Sequence, residues 1–154
     1  MDAKEKYKNL MKKYGLPRIE NIEEIFAFKL SKDSESPLFD ISKGILESID
    51  YAEEILEFLL FLSEGSKPSH FYEAKFIDRK KYFRIYRKIL ELKWKYVKTY
   101  FDPKEKNIAE FIKESYSIWT KDVKKNLISL GEKLSKSWRN YKEGENKEKQ
   151  TYLG

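Results

Sequence analysis

The chain has 154 residues, 38% of them charged and 16% aromatic, and a formal net charge of +6. One domain of this length buries roughly 70% of the surface of its unfolded chain, enough for a core without cross-links. The absence of cysteine excludes disulfides, thiolate zinc sites and cysteine-ligated iron–sulfur clusters, and a single histidine argues against a histidine metal site or a catalytic triad. We therefore expect a non-catalytic protein with no metal and no cofactor.

The apolar runs of the chain are short. The best of them, residues 55–62, is far below the ~20 residues that span a bilayer, and the first five residues have no apolar signal core. We therefore expect a cytoplasmic protein with no membrane partner. Abundant Lys, Glu, Ile and Tyr with a single Gln is typical of hyperthermophile proteins, although a Lys-rich, AT-biased genome would give a similar profile.

The N-terminal quarter of the chain is predicted to hold two short helices and a loop. An amphipathic helix over 3–14 has apolar residues at spacings of three and four and is ended by Gly15. A second helix is predicted over 22–30, with Asn21 as its N-cap. The polar stretch 31–37 is predicted to be a loop.

Two long helices follow. The first covers about 38–63 and is apolar over so much of its circumference that we expect it at the centre of the fold. The second is basic and runs from the N-cap Asp78 to Phe101. On a helical wheel, one set of its residues is predicted to face inward: Arg79, Tyr82, Phe83, Tyr86, Leu90, Val97 and Phe101.

The remaining elements are also helical. Asn107 with Glu110 has the form of a capping box for a helix through about residue 119, and a last helix is predicted over 120–141, with Gly131 as a candidate break. No segment alternates with period two and no hairpin turn is present. The chain is therefore predicted to be all-α, with a helical N-terminal segment 1–25 whose mobility is open, a core domain 26–142 and a flexible polar tail 143–154.

The charges are unevenly distributed. Residues 40–64 carry seven acids and one base, a net of −6, whereas residues 75–100 carry ten bases and two acids, a net of +8. So basic a segment favours a polyanionic partner. The alternative is a solvated helix face paired against the acidic segment.

Two groups of residues are candidates for nucleotide or nucleic-acid binding. The first group lies at the start of the basic helix, where free backbone N–H groups and the helix dipole favour a phosphate. Its members are Arg79, Lys80, Lys81, Tyr82, Phe83 and Arg84. If Arg79 faces inward it needs an anion, either an internal carboxylate or a ligand phosphate. Near the end of the last helix, cations alternate with aromatic residues, a pattern that suits single strands. This second group includes Lys136, Trp138 and Arg139. The alternative for both groups is an ordinary amphipathic helix.

The segment 79–89, Arg-Lys-Lys-Tyr-Phe-Arg-Ile-Tyr-Arg-Lys-Ile, resembles the R-x-x-Y-x-x-[FY]-[LY]-[KR] helix in the C-terminal domain of the archaeal and eukaryotic primase large subunit. The order of the following motifs is also similar. A helix ending in an aromatic looks like 108–119, and an asparagine-containing stretch leading to glycine looks like 125–131. A basic patch and Tyr141 follow, so the resemblance covers about residues 70–142.

The resemblance implies a helical domain like that of the primase large subunit, without its iron–sulfur cluster because the four cysteine ligands are missing. Leu127 and Ile128 also replace an Arg-His pair of the family. The implied role is a non-catalytic accessory subunit that promotes RNA primer synthesis. Its implied partners are the small catalytic and large primase subunits, a nucleoside triphosphate, and a single-stranded template or primer. Arg79 and Tyr82 match the family motif, and Lys136 and Arg139 match it more loosely.

Two other functions remain open. A nucleic-acid-binding regulator would be expected to show a compact helix-turn-helix, and the sequence displays no short helix, glycine turn and recognition helix in that order. A scaffold subunit of another complex would use the acidic segment 40–64 against a basic partner and would need no ligand. The lone His70 is more typical of a surface or cap residue than of a general base.

Overall fold

The computed structural model describes residues 1–142, in which all regular secondary structure is helical and there is no strand. Within it, seven α-helices follow one another, and one turn of π-helix joins the last two. Their bounds are α1 Ala3–Tyr14, α2 Ile19–Ile25, α3 Pro37–Leu60, α4 Pro68–Ala74, α5 Arg79–Phe101, α6 Glu105–Ile118, the π-helical turn Trp119–Val123 and α7 Lys124–Arg139. The predicted all-α class is confirmed. The tail predicted to be flexible, 143–154, lies outside the described residues.

α3 lies at the centre of the fold, as its wide apolar stripe predicted, and packs against α1, α4, α5 and α6. Its inward residues are fully or almost fully buried. One continuous hydrophobic core joins α3 to α1, α2, α5, α6 and α7. Burying a leucine or isoleucine side chain stabilises a fold by roughly 1.5–3 kcal/mol, so this shared core is what holds the helices in place.

Residues 1–25 contribute to the same core as the rest of the chain. Asp2 caps α1 by accepting a hydrogen bond from the Glu5 amide at 2.9 Å, and Gly15 ends the helix in the left-handed conformation with φ 65°. The side chain of Tyr7 is fully buried, and its hydroxyl donates to the Pro17 carbonyl. Burial raises the pKa of the Tyr7 hydroxyl. Ile22 in α2 is also fully buried.

The predicted bounds of the second helix, 22–30, are wrong, and so is Asn21 as its N-cap. α2 begins three residues earlier because Ile19 belongs to the core. α2 also ends earlier than predicted, because the buried Glu23 carboxylate accepts a hydrogen bond from the Leu30 amide at 2.9 Å. That bond satisfies the amide of the extended segment outside the helix.

Three further differences lie C-terminal to α3. The short helix α4 begins with Pro68 in its first turn and was not predicted. The predicted capping box is wrong, because α6 begins at Glu105 and the Asn107 amide donates to Asp102 instead, at 3.2 Å. The last helix is preceded by the π-helical turn and is continuous through Gly131.

The inward face of α5 is rotated relative to the prediction. Phe83 is 42% exposed and Phe101 is 80% exposed, although both were expected to face the core. The residues of α5 that are buried are Tyr82, Ile85, Tyr86, Ile89, Leu92, Tyr96 and Thr99. The opposite face of this 23-residue helix is therefore exposed along its whole length.

Candidate nucleic-acid interface

The exposed face of α5 combines cations with aromatic rings. We call it the α5 outer face. It consists of Lys80, Phe83, Arg84, Arg87, Trp94 and Lys98, all exposed, together with the acid Glu91. Their spacing of three, four and seven residues places them on one side of the helix. From Lys80 to Lys98 the face is about 27 Å long, since an α-helix rises about 1.5 Å per residue.

Few of the bases in segment 75–100 are neutralised within residues 1–142. Three of the ten form ion pairs: Lys88 with Asp122, Lys93 with Glu53 and Asp50, and Lys95 with Glu114. Hydrogen bonding from Lys93 to Glu53 raises the pKa of the Lys93 ammonium. Only this lysine pairs with the acidic segment 40–64. The seven other bases have no such partner in the described chain, so mutual pairing of the two segments does not account for the positive charge.

Arg79 does not contact a carboxylate in the described residues. One guanidinium nitrogen, Nη2, donates to the carbonyl of Leu60 at 2.9 Å, at the end of α3. The carbonyls at a helix C-terminus carry partial negative charge and lack intrahelical partners, so a cation is favourable there. The internal-carboxylate alternative for Arg79 is therefore wrong, and the remaining N–H groups of this exposed side chain can still meet a ligand.

The backbone amides at the start of α5 are less accessible than the sequence indicated. The Asp78 carboxylate caps the helix by accepting a hydrogen bond from the Lys81 amide at 3.2 Å. A phosphate at this position would have to displace the cap or lie to one side of it. Side chains, rather than backbone N–H groups, are thus the main anion ligands that this end of α5 offers.

A groove of about 800 Å³ runs along the first half of α5. It is lined by Asp78, Arg79, Lys80, Lys81, Phe83, Arg84 and Arg87. Five of these seven side chains are cations, and known small-molecule sites have volumes of about 300–1,000 Å³. A second groove shares Arg84 and Arg87 and extends the surface to Trp94. The basic surface is therefore continuous along the helix.

The structure places Tyr82, a predicted site residue, in the core. Its side chain is 5% exposed, and its hydroxyl donates to the backbone carbonyl of Asn126 in α7 at 3.0 Å. Burial raises the pKa of the Tyr82 hydroxyl. Tyr82 thus joins α5 to α7, so it positions the basic helix and does not line the groove.

The second predicted group, on α7, divides into two kinds of residue. Trp138 packs against α4: its ring lies 4.6 Å from that of Tyr72, and its indole N–H donates to Glu73 at 3.0 Å. Lys136 and Arg139 are exposed and have no ion pair within residues 1–142. Lys136 and Arg139 are therefore available to a partner, whereas Trp138 is held against α4.

A pocket of about 580 Å³ lies beside the start of α5, between α3, α4 and the loop that joins them. We call it the aromatic pocket, with Phe58, Phe61, His70 and Tyr86 as its rings and Glu57 as its acid. The rings of Phe58 and His70 are stacked with centroids 4.6 Å apart. His70 is therefore a wall of this pocket, which the sequence did not indicate.

Sequence reasoning included Phe83 and Arg84 in the first candidate group, but it did not include Arg87 or Trp94. The i, i+4, i+7 spacing from Lys80 through Arg84 could have extended the face to Arg87. Aromatic residues on both sides of α5 obscured it, because Phe83 was counted as part of the apolar side.

Residues 1–142 contain no group of three or more His, Asp or Glu side chains placed to hold a metal ion. In the same range no helix is long and apolar enough to cross a membrane. The chain matches no family model, no curated protein and no solved structure. What the described residues offer is an exposed, largely unpaired cationic helix face with rings along it, next to an aromatic pocket.

Proposed function

We propose that this protein is a non-catalytic accessory subunit of a DNA primase complex, which binds the initiating nucleotide or the template and primer through the α5 outer face and the adjacent Arg79. The observation that carries the proposal is the row of unpaired cations with interleaved exposed rings on that face. Cations hold phosphates and rings stack on bases, so the combination suits single strands and nucleotides.

The assignment to a primase complex depends on the primase-like motifs and on one contact between them. The Tyr82 hydroxyl, in the R-x-x-Y segment, bonds the Asn126 carbonyl, in the asparagine-containing stretch. Two motifs that are 44 residues apart therefore meet in the fold. A cluster-free helical chain of this size and composition resembles PriX, the small third primase subunit of thermophilic crenarchaea, and we propose a role of that kind.

In this role the protein would supply binding and orientation, and the small primase subunit would form the dinucleotide. Arg79, Arg84 and Arg87 would contact phosphate oxygens, for which a guanidinium offers two parallel N–H donors. Phe83 and Trp94 would cover exposed base faces. Holding both reactants in place converts an encounter between free nucleotides into a reaction between bound groups, which is the main advantage such a subunit can provide.

The test is primer synthesis by a purified small–large primase pair with and without this protein. The protein alone should make no primers, and its addition should increase initiation, most clearly at low nucleotide concentration. Arg79→Ala should remove much of the increase and Arg79→Lys should restore part of it, because a point charge replaces the guanidinium fork. An unchanged primer yield at every nucleotide concentration would contradict the proposal.

A second candidate, a DNA-binding regulator, is favoured by the order of α4, residues 75–78 and α5. This is a short helix, a four-residue connection and an exposed basic helix, as in helix-turn-helix proteins, although the connection lacks glycine. Tight binding to duplex DNA in preference to single strands and nucleotides, with no effect on primer synthesis, would favour this function.

A further inference from the structure

The aromatic pocket adjoins the α5 outer face. Phe61, a wall of the pocket, has its ring 6.0 Å from that of Phe83, which lines the basic groove, and 5.3 Å from that of Tyr86. Arg79 also donates to the carbonyl of Leu60, the residue before Phe61. A ligand with its phosphates on α5 can therefore place an attached planar group in the pocket.

The walls of the pocket suit such a planar group. Phe58 is 46% exposed and Phe61 is 52% exposed, so both rings leave much of their apolar surface in water. Base stacking on an aromatic side chain covers that surface and is favourable for every base. The walls alone thus predict nucleobase binding without discrimination.

The acid in the pocket provides discrimination. One oxygen of Glu57, Oε1, accepts a hydrogen bond from the Tyr86 hydroxyl at 2.8 Å, and the other oxygen has no partner within residues 1–142. Burial of Tyr86, with the bond to Glu57, raises the pKa of its hydroxyl to about 12. Tyr86 therefore stays protonated at physiological pH and keeps the carboxylate in place.

An ionised carboxylate can only accept hydrogen bonds, so it requires a base edge made of donors. Guanine presents two adjacent donors, N1–H and the N2 amino group. Adenine and cytosine present one amino group beside an acceptor nitrogen, which would face the carboxylate lone pairs. Uracil has a single N–H between two carbonyl oxygens. Among the bases, guanine is the one that satisfies both oxygens of Glu57.

We propose that the aromatic pocket binds the guanine base of a guanosine nucleotide whose phosphates lie on the α5 outer face. The proposal rests on the proposed nucleotide-binding function and adds a base preference to it. Glu57 would be the specificity residue, Tyr86 would position it, and Phe58 with Phe61 would stack on the base.

The experiment is titration of the full chain with GTP, ITP, ATP and CTP. ITP lacks the N2 amino group and so removes one of the two donors. We expect GTP to bind most tightly, ITP less tightly and ATP least among the purines. Glu57→Gln should reduce the preference for GTP over ATP by about tenfold, within the roughly 5–150-fold discrimination of a bidentate base contact. Glu54→Gln, the same charge change at an exposed position of α3 outside the pocket, should leave the preference unchanged.

Two further variants separate the contributions. Tyr86→Phe should weaken the GTP preference while leaving ATP binding unaltered, and Phe58→Ala should weaken every nucleotide and keep the preference. Equal affinity for the four nucleotides, lost on Arg84→Ser and Arg87→Ser, would overturn the guanine site and leave the proposed function intact. Failure of the wild-type chain to bind any nucleotide would overturn the guanine site, and failure to bind a single-stranded oligonucleotide as well would overturn both.

Discussion

Removal of two cations from the α5 outer face should change how strongly single-strand binding depends on salt. Arg84 and Arg87 line both grooves of that face and have no ion pair within residues 1–142. Each phosphate contact to a single strand contributes about −0.7 to the slope of log K against log salt, so the double variant Arg84→Ser, Arg87→Ser should lose about 1.4 from the slope. When the salt concentration rises from about 50 to about 200 mM, the double variant should therefore lose roughly sevenfold less affinity than the wild-type chain loses.

Fluorescence anisotropy of a labelled single-stranded oligonucleotide, at a series of salt concentrations, measures this slope. The matched control is Lys8→Ser, Lys12→Ser, which removes two exposed cations from α1 and so changes the net charge equally. The control should shift the curve slightly without changing its slope. An equal change of slope in both variants would mean that overall charge, and not the α5 outer face, binds the strand.

Three further predictions concern stability. Gly44→Ala should lower the free energy of unfolding by about 1–3 kcal/mol, because the added Cβ would lie 2.4 Å from the Phe28 ring. Gly131→Ala should raise the free energy of unfolding by up to about 1 kcal/mol, because the space around this helical glycine is open. Chemical denaturation measures both changes. Tyr82→Phe should cost about 1 kcal/mol by losing its bond to α7 and leave nucleotide affinity unchanged in a titration. The hydrogen bond from Lys88 lowers the pKa of the Asp122 carboxyl group. The wild-type chain should therefore be more stable than Asp122→Asn above about pH 4, and this difference should disappear as the pH falls below that value. Denaturation curves recorded across this pH range measure the difference.

Much of the fold could be predicted because the long helices have strong local patterns. The wide stripe of α3, the Asp78 cap of α5 and the left-handed Gly15 each appear where the sequence indicated. Local patterns failed where a distant contact decides the outcome. Asn21 has the chemistry of a cap, but burial of Ile19 begins the helix earlier. The local pattern of a single sequence does not predict such packing between distant residues.

The surface proposed here lies on the same helix as the first predicted group, but only some of its residues belong to that group. Arg79 was expected to need an anion, and a helix-terminal carbonyl of α3 was not considered as its partner. Tyr82 is a predicted site residue because it matches the family motif, but its side chain is buried and bonds to α7. The aromatic pocket could not be predicted at all, since it requires α4 beside the end of α3.

The three tryptophans lie in three different environments, which gives the protein its own optical probes. Trp94 is 68% exposed on the α5 outer face, Trp119 is 5% exposed, and Trp138 is 39% exposed where α7 meets α4. Chains that each keep a single tryptophan would therefore emit at different wavelengths. A base that stacks on Trp94 would quench the longest-wavelength emission, while Trp119 would respond only to unfolding. Strand binding and loss of the core can thus be followed separately in one unlabelled sample.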